Sequence, residues 1–357
     1  MKRYGELFDT IVSFENLLAA EAAAYKGKRL RPDPAAFHFN LERNLFSLQR
    51  DLVSGDYHPG DYRSFRVYDP KPRLISAAPY RDRVVHHAVC RVIEPVFDRR
   101  FIFDSYANRL GKGTHRALNR CTRFCQRARF VLKGDVVKFF PSMDQELLFG
   151  LLQRKIKCQR TLGLLRTIIA SSNPQEPVET YFPKDDLFTP FERTRGIPIG
   201  NLTSQFFGNV MLDPLDHFAK ETKGWRMYVR YADDFLAFAD SKDRLHALLD
   251  EMREFLVSYR LSLHPRKCVV LPVAAGVPFL GWTVFRDHRR LRRATGLRFQ
   301  RRLRELTEDY REGSVTQEGV RASAMSWIGH LDHGDTWRLR TKLLHAAPFV
   351  RHPTSPP

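Results

Sequence analysis

Residues 228–239 read YVRYADDFLAFA. Two runs of β-forming residues, 228–231 and 235–239, flank a short acidic turn, a pattern that predicts a β-hairpin with Ala232, Asp233 and Asp234 at its tip. A second stretch, GDVVKFF at 134–140, lies in an apolar segment predicted as a buried strand over 130–140 that ends at Pro141, and it carries Asp135. If the two strands are neighbours, three carboxylates converge.

Converging carboxylates suit one kind of chemistry. Joining a nucleotide to a 3′-hydroxyl requires the hydroxyl and the leaving pyrophosphate each to be held against a divalent cation, with the cations about 4 Å apart. Mg²⁺ takes carboxylates and substrate phosphates as ligands, so two or three Asp on rigid strand ends are enough. Each element alone has a plainer interpretation, because an Asp-Asp turn is usually only a turn and a strand-end Asp is usually a cap. Their conjunction favours a metal site.

The composition points to a folded protein with a polyanionic partner. The chain of 357 residues is 43% hydrophobic and 12% aromatic, which argues against disorder. Its 59 Lys and Arg against 40 acids give a net charge of +19. That excess fits nucleic-acid binding, although a solvated surface would also account for it. Five cysteines without a CxxC pair indicate neither a zinc site nor a disulfide framework, and no signal peptide or membrane span is predicted, so we expect a cytoplasmic protein.

Hydrophobic periodicity predicts the remaining elements. Helices are expected over 6–24, 41–53, 145–170 and 242–259, with a further helix that includes Arg83 and stops near Pro95. The segment 62–76 predicts a hairpin around a Pro-Lys-Pro turn, and 261–273 and 277–285 have the pattern of strands. Strands and helices alternate as in a split βαβ unit.

The C-terminal part is strongly basic. Residues 286–304 hold nine arginines and one acid, with Phe299, Leu303 and Leu306 at helical spacing, which predicts a basic amphipathic helix preceded by a strand. One sign of charge beside an apolar stripe favours contact with phosphates over a merely solvated face. A second helix around 320–331 is expected to pack against it, and the Pro-rich residues 346–357 are expected to be loose.

Tyr231-Ala232-Asp233-Asp234 resembles the YxDD box of reverse transcriptases, and its Asp233 lies 98 residues after Asp135 of a GDVVKFF segment that resembles their first palm motif. The resemblance covers nearly all of residues 60–345. GIPIGNLTSQ at 196–205, YRSFRVYDPKPRLIS at 62–76, GKGTH at 111–115 and SWIGHLDHGDTW at 326–337 resemble, more narrowly, the reverse transcriptases of diversity-generating retroelements.

The resemblance implies an α+β, right-hand polymerase with a ferredoxin-like palm. The expected domains are an N-terminal helical extension at 1–60, fingers and palm at 61–288, a helical thumb at 289–345 and a loose tail at 346–357.

The resemblance also implies roles for individual residues. Asp135, Asp233 and Asp234, with Val136 beside them, would hold two Mg²⁺ ions, for which Mn²⁺ could substitute, and Lys267 would protonate or stabilise the departing pyrophosphate. The residues implied for dNTP binding are Lys71, Arg73, Phe140, Ile199, Gly200 and Gln205. The residues expected to hold primer and template are Phe279, Gly281, Trp282, Arg292, Arg293, Arg298, Arg301 and Arg302.

For these residues, core packing or solvated surface charge is the plainer alternative. Most reverse transcriptases have an amide where this chain has Ile199, and losing that donor would cost discrimination on the order of 1 kcal/mol. We therefore expect a low-fidelity enzyme.

The expected function is RNA-directed DNA synthesis, error-prone at template adenines, for mutagenic retrohoming. Template RNA, a cDNA or primer strand, dNTPs and a small basic accessory protein are the expected partners, with no membrane, in a prokaryotic cell or encoded by a phage. Two alternatives stay open at this point. One is a retron-like or antiviral-defence reverse transcriptase, and the other is a catalytically idle RNA-binding scaffold.

Overall fold

A computed structural model describes residues 3–68, 72–173 and 176–345. Its strands are β1 Arg63–Val67, β2 Arg73–Ala77, β3 Phe130–Asp135, β4 Tyr228–Tyr231, β5 Asp234–Ala239, β6 Val269–Pro272, β7 Val277–Phe279, β8 Trp282–Val284 and β9 Arg289–Leu291. β1 and β2 form an antiparallel pair with Arg63 opposite Ala77. β7, β8 and β9 form an antiparallel sheet in which Trp282 of β8 lies opposite both Phe279 and Leu291.

The helices occupy most of the described chain. They are α1 Phe8–Val12, α2 Phe14–Tyr25, α3 Pro32–Phe39, α4 Leu41–Ser54, α5 Tyr80–Asp98, α6 Thr114–Cys125, α7 Phe139–Ser142, α8 Gln145–Gln153, α9 Gln159–Ala170, α10 Thr189–Glu192, α11 Leu202–His217, α12 Lys242–Val257, α13 Arg293–Arg311, α14 Gln317–Leu331 and α15 Trp337–His345. A π-helical turn, Phe218–Thr222, extends α11, and a 3₁₀ turn, Val273–Ala275, follows β6.

The third sheet has four strands in the order β4-β5-β3-β6. Along the chain, helices separate β3 from β4, a two-residue turn joins β4 to β5, and α12 leads to β6, so the connectivity is βαββαβ. Residues 235–239 of β5 are all buried, as expected for a strand covered on both faces. The order places the strand that begins with Asp234 beside the strand that ends with Asp135.

The described chain divides into two compact units. The first comprises 1–111, 133–236 and 247–269, and the second comprises 112–132, 237–246 and the chain from 270 onward. In the first unit α2 and α11 both pack on α5. In the second unit the fully buried Trp282 of β8 lies against Gly334, and the ring of Phe299 on α13 stacks on Trp327 of α14 at 3.2 Å between centroids.

Several predicted elements are confirmed. Both hairpins form, α12 and α13 lie close to their predicted ranges, and α14 packs on α13. The helix predicted over 6–24 is interrupted, because Ser13 has an extended backbone and its side chain caps α2. The helix that includes Arg83 does not stop near Pro95 but continues to Asp98, since a proline in the last turns removes only one backbone hydrogen bond.

Two predicted strands are shorter than expected. β3 ends at Asp135 and not at Pro141, because the chain turns at Lys138, with φ 39°, into the one-turn helix α7. Of 261–273, only Val269–Pro272 forms a strand, and the part before it is a loop that touches the sheet through one bridge, Leu263 to Val136. The tail predicted to be loose lies outside the described residues.

No helix in the described ranges is both long enough and apolar enough to cross a bilayer. The cytoplasmic location stays a prediction.

Candidate active site

The tip of the β4–β5 hairpin carries two of the three predicted carboxylates. Ala232 and Asp233 form the turn, and Asp234 begins β5. Ala232 has φ 54°, the left-handed region that costs a residue with a Cβ about 1–2 kcal/mol. The turn therefore needs support from its surroundings.

Asp135 is held at the end of β3 by the loop 262–268. Its carbonyl oxygen accepts the backbone N–H of His264 at 2.8 Å, and its own N–H faces the Cys268 sulfur at 3.5 Å. Next to it, the N–H of Val137 donates to the carbonyl of Ser262 at 2.8 Å. The Asp135 side chain is 13% exposed. These backbone bonds fix the position of a largely buried carboxylate.

The three carboxylates act on one another electrostatically. The pKa of Asp233 is raised to about 6, first by burial and then by the negative charges of Asp234 and Asp135, while Arg73 partly offsets them. β5, which begins with Asp234, lies beside β3, which ends with Asp135, and Lys133 of β3 reaches Asp234 Oδ1 at 3.9 Å. The structure thus brings Asp135, Asp233 and Asp234 together, with Arg73 among the charges that act on Asp233.

Two lysines lie beside the carboxylates. The Lys267 ammonium donates a hydrogen bond to Asp135 Oδ2, and Lys133 Nζ lies 3.9 Å from Asp234 Oδ1. Sequence reasoning selected Lys267 but missed Lys133. A signal was present, because Lys133 is two residues before Asp135 on the same strand and alternate residues share a face.

The predicted nucleotide-binding residues lie on several elements of the first unit. The Ile199 carbonyl accepts the N–H of Ser76 on β2 at 2.9 Å, so this motif adjoins the strand that begins with Arg73. A Cβ on Gly200, whose φ is 129°, would lie 3.1 Å from the Ser76 carbonyl oxygen. Phe140 is half-buried in α7, and Gln205 is exposed on α11. Lys71 lies outside the described residues.

A basic cavity of about 910 Å³ adjoins this motif. Gly200 and Asn201 line it on one side. Lys28, Arg31, Arg63 and Arg83 line it elsewhere and outnumber the two lining acids, Asp33 and Asp61. Burial and the nearby Arg83 lower the pKa of Lys28. The cavity is therefore suited to an anionic ligand.

The predicted primer-binding hairpin is β7–β8 in the second unit. Phe279 and Trp282 are 1% and 0% exposed, so in this conformation neither ring can stack on a primer, and the plainer interpretation of a buried hairpin fits their side chains. Gly281 in the turn is half-buried, and its carbonyl accepts the N–H of Arg292 at 3.1 Å. The hairpin turn is thus tied to the start of α13.

The basic helix α13 has two unlike faces. Leu303 and Leu306 are buried. The predicted nucleic-acid contacts on the helix and immediately before it are all exposed: Arg292, Arg293, Arg298, Arg301 and Arg302. The exposed face can contact phosphates while the apolar face packs against α14.

The donor set at the hairpin fits a hard cation, but it is not arranged as a finished metal site. Within 3–68, 72–173 and 176–345, no group of three or more His, Cys, Asp or Glu side chains is placed to hold a metal ion. The carboxylate oxygens are of the type that Mg²⁺ prefers. Burial raises the pKa of Asp233 first, and the negative charges of Asp234 and Asp135 add to it, so a bound cation would offset that repulsion. Lys267 occupies Oδ2 of Asp135, so a cation would bind Oδ1 or displace the ammonium from Oδ2.

The mixed helix-and-sheet fold and this carboxylate cluster are those of a nucleotide-joining enzyme. The sequence model of the family described as reverse transcriptase (RNA-dependent DNA polymerase) matches residues 68–284. The chain belongs to this family and is an RNA-directed DNA polymerase, a nucleotidyltransferase. Enzymes of the family use divalent metal ions.

Individual relatives are distant. Protein YkfC of Escherichia coli is 27% identical over 294 residues, which cover 70% of this chain and 73% of that protein. The group II intron-encoded protein LtrA of Lactococcus lactis is 24% identical, covering 59% of this chain and 33% of LtrA, and nuclear intron maturase 1 of Arabidopsis thaliana is 26% identical, covering 40% and 23%. A Candida albicans telomerase structure aligns with a TM-score of 0.46 at 13% identity, covering 81% of this chain and 55% of the telomerase chain.

Proposed function

We propose that this chain copies template RNA into cDNA at a site formed by Asp135, Asp233 and Asp234. The placement of these carboxylates carries the proposal, because Asp135 ends β3, Asp234 begins the neighbouring strand β5, and Asp233 lies in the turn directly before Asp234. Asp135 and Asp233 would hold two Mg²⁺ ions, or Mn²⁺ in their place, with Asp234 and Val136 beside them. When bound, the ions would supply positive charge to the attacking 3′-oxygen and to the leaving pyrophosphate.

The protein's own cations have separate tasks in this proposal. Arg73, with Lys71, would bind the triphosphate and hold it in line with the primer hydroxyl. The hydroxyl oxygen would attack the α-phosphorus and lose its proton to water, the bond to pyrophosphate would break, and Lys267 would donate a proton to the departing oxygen. In the proposal the hydrogen bond from Lys267 to Asp135 belongs to the enzyme without substrate.

The nucleotide pocket would be formed by Phe140, Ile199, Gly200 and Gln205. Phe140 would lie under the incoming sugar and exclude a 2′-hydroxyl by its volume. Ile199 offers no side-chain hydrogen bond to the base pair, which supports low fidelity, with errors at template adenines as in diversity-generating retroelements. Replacing Ile199 by Gln should lower the error frequency in sequenced cDNA, and an unchanged error spectrum would contradict this role.

For the nucleic acid, two basic surfaces support the proposal. The exposed arginines of α13 suit the backbone of a primer–template duplex, with Gly281 contributing through its backbone. The rings of Phe279 and Trp282 would support the hairpin from inside. The cavity beside Gly200 suits the phosphates of the template strand.

We assign the architecture accordingly. Residues 1–60 would be the N-terminal extension, 61–288 the fingers and palm, and 289–345 the thumb. The βαββαβ connectivity and the order β4-β5-β3-β6 support a ferredoxin-like palm.

Two biological roles are proposed, and they differ in the RNA that the enzyme copies. A retroelement role would require a small basic accessory protein and a dedicated template RNA. The second candidate is the copying of an intron RNA, favoured by the relatives whose names identify them as an intron-encoded protein and an intron maturase. Purifying the tagged enzyme from its native host and sequencing the bound RNA would separate the two roles.

The polymerase itself is tested by primer extension on a defined RNA with Mg²⁺ and dNTPs. Asp233→Asn should reduce extension by at least about 1000-fold, because it removes a charged group that acts in the transition state. Asp250→Asn is the matched control, since Asp250 is an exposed carboxylate on α12 that pairs with Arg253. Equal activity of the wild type and Asp233→Asn would contradict the proposed site.

A further inference from the structure

Arg230 lies in β4 two residues before the catalytic turn, and its side chain is completely buried. It pairs with Asp216 on α11, which is also completely buried. Arg230 Nε and Nη2 donate to the two carboxylate oxygens at 2.8 and 2.7 Å, and the Tyr228 hydroxyl donates to the same carboxylate at 2.9 Å. The guanidinium is therefore fixed from one side.

The remaining nitrogen faces the turn. Arg230 Nη1 donates to the side-chain oxygen of Asn209 on α11 at 3.1 Å and to the backbone carbonyl of Ala232 at 3.0 Å. The strand is also anchored at Arg230 itself, whose N–H donates to the Asp104 carbonyl and whose carbonyl accepts the Tyr106 N–H. One side chain thus links a rigid helix to the residue directly before Asp233.

A buried ion pair is a poor source of stability, because desolvation of both charges offsets most of their attraction. A buried ion pair is better explained as a device that fixes the position of its side chains. Ala232 has the unfavourable φ of 54°, which a turn keeps only when its surroundings impose it. The hydrogen bond from Arg230 acts on that residue.

We propose that Arg230 is a positioning residue for polymerisation, which holds the carbonyl of Ala232 so that Asp233 is presented to the divalent metal. This inference rests on the proposed function. Asp216 and Asn209 set the position of the guanidinium, and they belong to the helix that also carries Gln205. The guanidinium has no contact with substrate in this role.

The test compares Arg230→Lys with Tyr228→Phe. Lysine keeps a positive charge for Asp216 but cannot also hold Asn209 and Ala232, whereas Tyr228→Phe weakens the same buried ion pair without touching the turn. For each protein, the thermal midpoint, Mn²⁺ affinity by electron paramagnetic resonance, and kcat and dNTP KM in primer extension are measured. Arg230→Lys should weaken Mn²⁺ binding about 10-fold and lower kcat about 100-fold with little change in KM, as expected for a misplacement of roughly 1 Å.

Tyr228→Phe should lower the thermal midpoint, because it removes a buried hydrogen bond. It should leave the Mn²⁺ affinity within about twofold of the wild-type value, because the turn keeps its geometry. Adding Ala232→Gly to Arg230→Lys should recover part of the Mn²⁺ affinity, since glycine adopts positive φ without strain. If Arg230→Lys does not fold, Asp216→Asn takes its place, and its thermal midpoint, Mn²⁺ affinity, kcat and KM are compared with those of Tyr228→Phe.

Wild-type Mn²⁺ affinity in folded Arg230→Lys, or affinity losses that follow the thermal midpoints in both variants, would overturn the positioning role. If the wild type extends no primer but the Mn²⁺ difference between the variants persists, the proposed function is wrong and only the part of the inference in which Arg230 positions Asp233 for the metal remains.

Discussion

Among Gly→Ala changes close to the carboxylates, Gly134→Ala should damage the enzyme most. A Cβ at Gly134 would lie 2.0 Å from Phe235 Cζ and 2.4 Å from two further ring carbons, where about 3.5–4.0 Å is needed. Phe235 is 0% exposed, so the ring has no free space to enter and the strands must separate. Overpacking of this kind costs about 3 kcal/mol.

The activity loss should exceed the stability loss, because Gly134 precedes Asp135 and Phe235 follows Asp234. A shift of roughly 1 Å between the strands would lower kcat about 100-fold even in folded protein. We would measure thermal unfolding and single-turnover primer extension on the same preparation. Phe235→Leu in the Gly134→Ala background should restore part of the stability and part of the activity, since it removes the clashing ring atoms.

Gly150→Ala is the matched control. Gly150 lies within α8, and a Cβ added there would meet no described atom within 4 Å, so alanine should be neutral or stabilising by about 0.5–1 kcal/mol. Full activity and an unchanged midpoint in Gly134→Ala would refute the close approach of β3 and β5 on which the carboxylate geometry depends.

Three further predictions concern charge. Lys267→Ala should lower the single-turnover rate about 100-fold with little change in dNTP KM, as for loss of a general acid, and an unchanged rate would remove that role. The raised pKa of Asp233 favours its neutral form in the folded protein, so this stabilisation is present below the ordinary pKa of 3.8 and is lost as the pH rises through about 6. In denaturant unfolding, Asp233→Asn should therefore stabilise metal-free protein by at most about 3 kcal/mol at pH 8 and by little at pH 3.5. Equal effects of the substitution at both pH values would contradict the raised pKa. Replacing Arg292 and Arg301 together by Gln should reduce the slope of log affinity for a primer–template against log salt by about 1–2, and an unchanged slope would exclude these arginines from the phosphate contacts.

Local patterns in the sequence predicted the elements that carry the site. The β4–β5 hairpin was readable because β-forming residues flank a two-residue acidic turn, and α13 because Leu303 and Leu306 recur at helical spacing. The break at Ser13 and the early end of β3 could not be predicted from these patterns, because they depend on a side-chain cap and on the positive φ of Lys138.

The site itself was only partly predictable. Asp135, Asp233 and Asp234 could be selected by residue type and position, but the hydrogen bond from Lys267 to Asp135 spans 132 residues and depends on the folded loop. The support from Arg230 was equally hidden, because an arginine in a four-residue strand gives no sign that its partner is Asp216 on an earlier helix.

Metal binding by Asp135 and Asp233 can be observed in an anomalous difference map from crystals of the enzyme with primer, RNA template, Mn²⁺ and an unreactive dNTP analogue. We predict Mn²⁺ peaks at about 2.1 Å from carboxylate oxygens of Asp135 and Asp233, with the Lys267 ammonium moved away from Asp135. Manganese bound elsewhere, with Lys267 still hydrogen-bonded to Asp135 in the complex, would show that these carboxylates do not hold the metal for RNA-directed DNA synthesis.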